Sequence, residues 1–303
     1  MKRFIIDPGF GHTKIAIGDE YSKFPSAVAE IGGISNSNDS KVFHFEGKKY
    51  YVGDLALMQP ASDIIEINTF DLLKYFAPLF VGYQMINSGT KNENISDLIF
   101  CLSPAHKDRM GEFKDRLKSF KVNDQEFKFD DVIAMAQGAA SWRAINKITD
   151  LDSFDNFLIV DIGFNTIDVI FIYNREIQSA MIGPENSYEN CGSVNIANAV
   201  ISLIKEKHGS DISQKEALEI FDKKCYKKRG EVFDYKKEFA KISADFTKNT
   251  MNLLEKKYSN ELDKMDKVCF TGGGGYFIDP NYSKNILTFE NSEYLNIIGA
   301  SSI

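Results

Sequence analysis

Two short stretches of the chain set a carboxylate, glycines and small polar residues between apolar runs. The first is Asp7-Pro8-Gly9-Phe10-Gly11-His12-Thr13-Lys14, and the second is Asp161-Ile162-Gly163-Phe164-Asn165-Thr166-Ile167-Asp168. An ionised Asp closing an apolar strand is costly to desolvate unless a cation or hydrogen bonds offset the cost. Backbone N–H groups in a glycine-containing turn, by contrast, attract an anion. A carboxylate beside such a turn suits a metal-bound phosphate. Lys14 falls at the far side of the first turn, where its ammonium reaches a terminal phosphate as a point charge. Asp7 and Asp161 are the candidates to hold Mg²⁺, through waters, because that ion dehydrates reluctantly. For either stretch alone, an ordinary hairpin whose Asp caps its own turn is the favoured reading. Their repetition changes the odds. Asp7/Asp161, Gly9/Gly163 and Phe10/Phe164 are separated by one interval, about half the chain, and two such hairpins facing each other would hold a polyphosphate from both sides.

Two further stretches belong to the same chemistry. Gln137 lies in Ala136-Gln137-Gly138-Ala139-Ala140. Its amide does not titrate usefully, so its role is to orient an attacking water and leave Asp161 to accept the proton or polarise that water. The small residues around it permit close backbone approach where a helix begins against a ligand; tight helix–sheet packing asks for the same residues. Gly272-Gly273-Gly274-Gly275 follows the apolar run Val268-Cys269-Phe270-Thr271. Four glycines lose much chain entropy on ordering and add no core packing, which makes sense where backbone lies against a flat or bulky group. A flexible connector is the alternative. The loop has neither the G-x-x-x-x-G-K-[ST] nor the G-x-G-x-x-G pattern.

The elements that must position these residues follow from hydrophobic pattern. Phe157–Val160 and Val169–Ile172 are buried strands, as is 97–102, and Val42–Val52 is a hairpin around Gly47. Residues 31–40 read as a loop. Residues 70–86 are apolar at helical spacing, with Pro78 predicting a kink or two shorter helices. Ser103-Pro104 opens a helix towards Phe120. Beyond a polar boundary at 149–156, the order repeats: hairpin, a strand near 177–182, then amphipathic helices at 195–207, 213–221 (with a Ser213/Glu216 capping box) and 239–258. The basic run 223–229 reads as a solvated helix end or loop. Residues 291–299 predict a closing helix capped by Asn291 or Ser292.

At 303 residues the chain suits two α/β domains, 1–150 and 151–303. A net charge of −7 argues against a dedicated nucleic-acid surface. The four cysteines are scattered without metal-ligand spacing, which fits reduced thiols in a cytoplasmic protein. No apolar run approaches the ~20 residues of a membrane span, and the N-terminus is not that of a signal peptide.

The pieces together resemble the actin-like ATPase superfamily, and within it the bacterial plasmid-partition actins of the ParM type. Residues 7–14 match a D-x-G-x-G-x-x-K first phosphate motif, and residues 161–168 are similar to the second, D-x-G-x-x-T-x-D. Ala136–Ala140 resembles the first connecting helix with its water-positioning Gln, and Thr271–Gly275 the adenosine motif. Pro8 and Asn165 depart from the usual pattern. The resemblance implies two ribonuclease-H-like domains flanking a nucleotide cleft, with the closing helix 291–303 crossing back to the first domain. It implies Mg·ATP as ligand (GTP being an alternative), bound by Asp7, Gly9, Phe10, Gly11, His12, Thr13, Lys14, Gly163, Phe164, Asn165, Thr166 and Gly272–Gly275, with adenine-facing charges near Lys227–Glu231. It also implies ATP-driven filaments that reach DNA through a DNA-bound adaptor of the ParR type. Two alternatives stay open: a sugar-type kinase, with Asp97 or Asp108 as base, and a nucleotide-binding scaffold without filaments.

Overall fold

A computed structural model describes residues 2–32, 41–92 and 95–302; most of the 31–40 stretch read as a loop lies outside the described residues. The chain forms two compact units. One comprises Met1–Thr149, Ile182–Asn186 and Tyr294–Ile303, and the other Asp150–Met181 and Ser187–Glu293. The chain passes between the units at four points: near the 149–156 boundary, on either side of Ile182–Asn186, and before the closing segment Tyr294–Ile303.

In the first unit, β1 (Lys2–Pro8), β2 (His12–Ile17) and β3 (Glu20–Pro25) form an antiparallel meander. β4 (Ile95–Leu102) lies parallel to β1, and β5 (Asp131–Ala136) parallel to β4. The sheet order is therefore β5-β4-β1-β2-β3. Side chains alternate across a strand, and the two faces are unlike. Phe4 and Ile6 join the main core with Phe76, Phe80, Phe100 and Phe113. Ile5 faces the other way, into a small cluster with Ala16, Ile99, Cys101, Ala140, Ile297 and Ala300. Asp7 shares that second face. Close cover there comes from two short helices, Ala139–Ile145 and Leu295–Ala300, and a Cβ on Gly299 would fall 1.8 Å from the Ala140 carbonyl oxygen.

Several local expectations change. The Phe70–Asn87 helix runs unbroken through Pro78, because residues 76–82 are all buried and their packing outweighs the lost N–H bond. The helix expected after Ser103 is a 3₁₀ segment, Pro104–Arg109, followed by Met110–Lys118; Phe120 then lies in a strand, Ser119–Val122. A separate four-stranded antiparallel sheet contains Ala27–Glu30 and the hairpin at Gly47.

The second unit repeats the plan. β6 (Phe157–Ile162), β7 (Thr166–Tyr173) and β8 (Glu176–Ile177) form the meander, with β9 (Ser187–Glu189) also pairing β7. β10 (Lys267–Thr271) lies parallel to β6 and β11 (Ile286–Thr288) parallel to β10. Leu158, Val160 and Ile162 pack under helices Val194–His208, Gln214–Lys223 and Lys236–Leu262, while Asp161 points to the opposite face. The Ser213/Glu216 capping box forms as expected. The strand expected near 177–182 stops at Ile177, and the basic run becomes a hairpin, Cys225–Lys228 with Glu231–Asp234. A 3₁₀ turn, Ser292–Tyr294, leads into the closing α-helix at Leu295. Asn291 has φ 56°, and the Ser292 hydroxyl donates to the Gly272 carbonyl rather than capping the helix. No helix among the described residues is long and apolar enough to cross a membrane.

Candidate functional site

In the first unit, strand alternation and pairing bring three polar side chains together. Asp7 is 1% exposed and stands opposite Lys14 in the β1–β2 ladder. The Lys14 ammonium lies 3.4 Å from Asp7 Oδ2, and Gln137 Nε2 donates to Oδ1. An ionised carboxylate only accepts, so the Gln137 amide nitrogen must face it; Gln137 Oε1 is left to accept from a water. Both Asp7 oxygens are thus engaged within the protein. Gln137 is not on the helix. It follows β5 in a turn, and Gly138, at φ 73°, opens the Ala139–Ile145 helix.

The first turn is braced from below. Gly9 N–H donates to the His12 carbonyl, Ser26 Oγ donates to the Gly9 carbonyl at 2.6 Å, and the Thr13 and Ser26 hydroxyls lie 2.8 Å apart. Thr13 is fully buried, and Phe10 packs edge-on to His106, 6.4 Å between ring centres. These two side chains brace the turn. Among the described residues, no hydrogen bond within the protein takes the Phe10 or Gly11 amide.

The second turn has the same construction. Gly163 N–H donates to the Thr166 carbonyl at 2.9 Å, and among the described residues no hydrogen bond takes the Phe164 or Asn165 amide. Asp161, 3% exposed, accepts from Thr271 Oγ1 at 3.1 Å and stands directly opposite the buried Asp168. Like charges directly opposite one another in a strand pair repel. Behind the turn, the start of the Val194–His208 helix donates Ser193 and Val194 amides to the Gly163 and Phe164 carbonyls.

The Gly272–Gly275 run serves packing more than the sequence suggests. A Cβ on Gly272, itself at φ 75°, would meet the Ile162 carbonyl oxygen at 2.5 Å, and one on Gly274 the Ile162 side chain at 2.1 Å. Gly275 is tight against Phe270 and Ser292. Gly273 alone has open space, its nearest neighbour being Glu293 at 4.0 Å.

Comparisons with known proteins agree with these two halves. A family model for the N-terminal domain of actin-like proteins matches residues 6–139, and one for the C-terminal part of an archaeal MreB-like actin homologue matches residues 159–284. The chain belongs to the actin-like ATPase superfamily. Its fold is that of a 15-stranded ParM filament from Clostridium botulinum (21% identity, 100% of this chain and 99% of that one, TM-score 0.76). It is also that of the archaeal actin homologue Ta0583 in complex with ADP (17%, 100% and 98%, TM-score 0.79) and of Bacillus thuringiensis ParM with ADP (16%, 100% and 98%, TM-score 0.69). A comparison with curated protein sequences finds no match.

Within this actin-like frame, sequence reasoning passes over three residues. Asn296, 2% exposed, accepts from the Gly138 amide and the Ser141 hydroxyl and so fixes the turn that carries Gln137. Ser26 holds the first turn. Gly192 supports the second, since a Cβ there would meet the Gly163 and Phe164 carbonyl oxygens at 2.5 and 2.6 Å. None sits in a motif; a small residue just before an amphipathic helix was the only signal, at Gly192. Lys227–Glu231 lies in a hairpin rather than on a helix. Asp97, a base in the kinase reading, is already held by Arg3 at 3.7 Å and Ser96 at 3.1 Å. Among the described residues no three His, Cys, Asp or Glu side chains converge on a metal-sized site. The buried carboxylates and the Thr271 hydroxyl are nonetheless the hard oxygen donors that suit Mg²⁺ retaining its waters.

Proposed function

We propose that the protein binds and hydrolyses Mg·ATP and assembles into filaments. The observation that carries this reading is the pair of matching turns, each with a buried Asp at the preceding strand end and two amides that, among the described residues, no partner takes. Unused amides beside a charged ligand are what phosphate oxygens require, and Lys14 adds a cation at the first turn. The magnesium ion, when bound, neutralises charge developing on the phosphates. Gln137, steadied through its amide nitrogen on Asp7, orients the attacking water with Oε1. Asp161 accepts the proton or polarises that water. Self-assembly and the link to DNA through an adaptor extend the reading by likeness to ParM, whose filament shares this fold; segregation of a plasmid or other DNA is the proposed outcome in a cytoplasmic setting.

Light scattering, pelleting and phosphate release with Mg·ATP, Mg·GTP and Mg·ADP test this directly. ATP-dependent pelleting with phosphate release is expected. Nucleotide consumption only in the presence of a sugar would replace the reading with a kinase. Gln137→Ala and Asp161→Ala should retain nucleotide binding and slow hydrolysis at least ~100-fold, the scale of positioned proton-transfer catalysis; wild-type turnover in both would show that the water lies elsewhere.

A further inference from the structure

The two matching carboxylates are held by different chemistry. Across its strand pair Asp7 meets the cation of Lys14, whereas Asp161 meets Asp168 at the corresponding register position. Both carboxylates of the second pair are buried, where charges are screened less than at the surface, so the repulsion between them is felt. The strand on the other flank differs as well. β10 runs parallel to β6 and sets Thr271 beside Asp161, one residue beyond the pairing of Val160 with Phe270. In the first unit Ile6 pairs with Phe100, and the residue after Phe100 is Cys101, whose thiol donates to the Asn296 carbonyl at 3.8 Å. A hydroxyl therefore stands in the second unit where the first has a thiol.

That hydroxyl fixes one oxygen of the carboxylate. An ionised carboxylate only accepts, so Thr271 Oγ1 donates to Asp161 Oδ2, at 3.1 Å. Thr271 is fully buried, and its β-branch leaves χ1 little freedom, which holds Oγ1 in place. The next residue bounds the other oxygen: a Cβ on Gly272 would fall 2.6 Å from Asp161 Oδ1. Asp168 repels the carboxylate from the β7 side, Thr271 draws it towards β10, and the bare Gly272 backbone leaves Oδ1 its space. Removing the hydroxyl keeps the repulsion and takes away a donor that opposes it.

We propose that Thr271 is a positioning residue for nucleotide hydrolysis. It sets the rotation of the Asp161 carboxylate and so the direction from which Asp161 takes the proton of the attacking water or polarises it. The inference rests on the hydrolysis reading above and adds to it a residue that acts only through Asp161.

Two substitutions that divide the threonine side chain test it. Thr271→Val keeps the branched shape and removes the hydroxyl; Thr271→Ser keeps the hydroxyl and removes the methyl. Each is measured for phosphate release with Mg·ATP, for the Kd of a fluorescent ADP with Mg²⁺, and for Tm without nucleotide. Thr271→Val should slow phosphate release by roughly tenfold or more, with Kd within about threefold of wild type. Thr271→Ser should release phosphate within about threefold of wild type yet melt lower, because a methyl is lost from a fully buried site. In an Asp161→Ala background, Thr271→Val should slow release by less than about twofold more. Packing alone predicts the reverse order, with Thr271→Ser the poorer variant in both Tm and turnover. That order, wild-type release in Thr271→Val, or a further loss of about tenfold in the absence of Asp161 would overturn the positioning role and leave the hydrolysis reading standing. A wild-type chain that releases no phosphate with Mg·ATP would overturn both.

Discussion

Asn296→Ala removes a side chain that ties the closing helix to the turn carrying Gln137. Two buried donors, the Gly138 amide and the Ser141 hydroxyl, lose a shared acceptor that lies 2.9 and 2.8 Å away. A buried donor left without its acceptor costs about 1–3 kcal/mol. The Ser141 hydroxyl can rotate, so we expect roughly 2–4 kcal/mol in total. For a unit of this size that corresponds to a fall in Tm of roughly 5–15 °C. Calorimetry without nucleotide measures it, and phosphate release should fall as well, because Gln137 precedes the loosened Gly138 amide. Ser141→Ala supplies the comparison, costing about 1 kcal/mol since Asn296 keeps one donor. In the double variant the two effects should sum to less than their separate values. A Tm within about 2 °C of wild type for Asn296→Ala, or strict additivity, would refute the claim that this bond holds the turn.

Other perturbations separate packing from ligand binding. Gly274→Ala puts a methyl 2.1 Å from the Ile162 side chain and should destabilise by about 1–3 kcal/mol in a denaturant titration. Gly273→Ala meets nothing nearer than 4.0 Å; stability should hold within about 0.5 kcal/mol, while affinity for a fluorescent nucleotide falls. The Arg109 guanidinium hydrogen-bonds Glu112, holding its carboxyl down at about 2, and also lowers Asp71. A depressed carboxyl favours the fold above its unfolded pKa and loses that contribution as pH falls through the folded value. The exposed Arg109 cluster should therefore weaken between pH about 4.5 and 2, and Arg109→Ala should flatten that part of the stability profile. The same slope in the variant would assign the acid sensitivity to other carboxylates.

The two glycine turns were legible in the sequence because their geometry is local. Asp7, Gly9 and Lys14 lie within one hairpin, as do Asp161, Gly163 and Thr166, and strand alternation alone puts each Asp and its turn at one strand end. The duplication revealed the two-fold plan, and the capping box at Ser213 needed no more than four residues. Tertiary structure decided what depends on partners distant in the chain. Pro78 stays in an unbroken helix because core packing around it is dense, and the helix expected at 291–299 starts late because Ser292 is drawn to Gly272. Gln137 meets Asp7 across 130 residues, and Asn296 meets Gly138 across 158. The glycines at 272, 274 and 275 read as a ligand loop from composition, yet close approach to Ile162, Phe270 and Ser292 requires them, and only Gly273 keeps open space. A sequence pattern records what neighbouring residues demand of one another; which distant backbone will press against a glycine, or which amide will need an acceptor, is set only when the sheets and helices close.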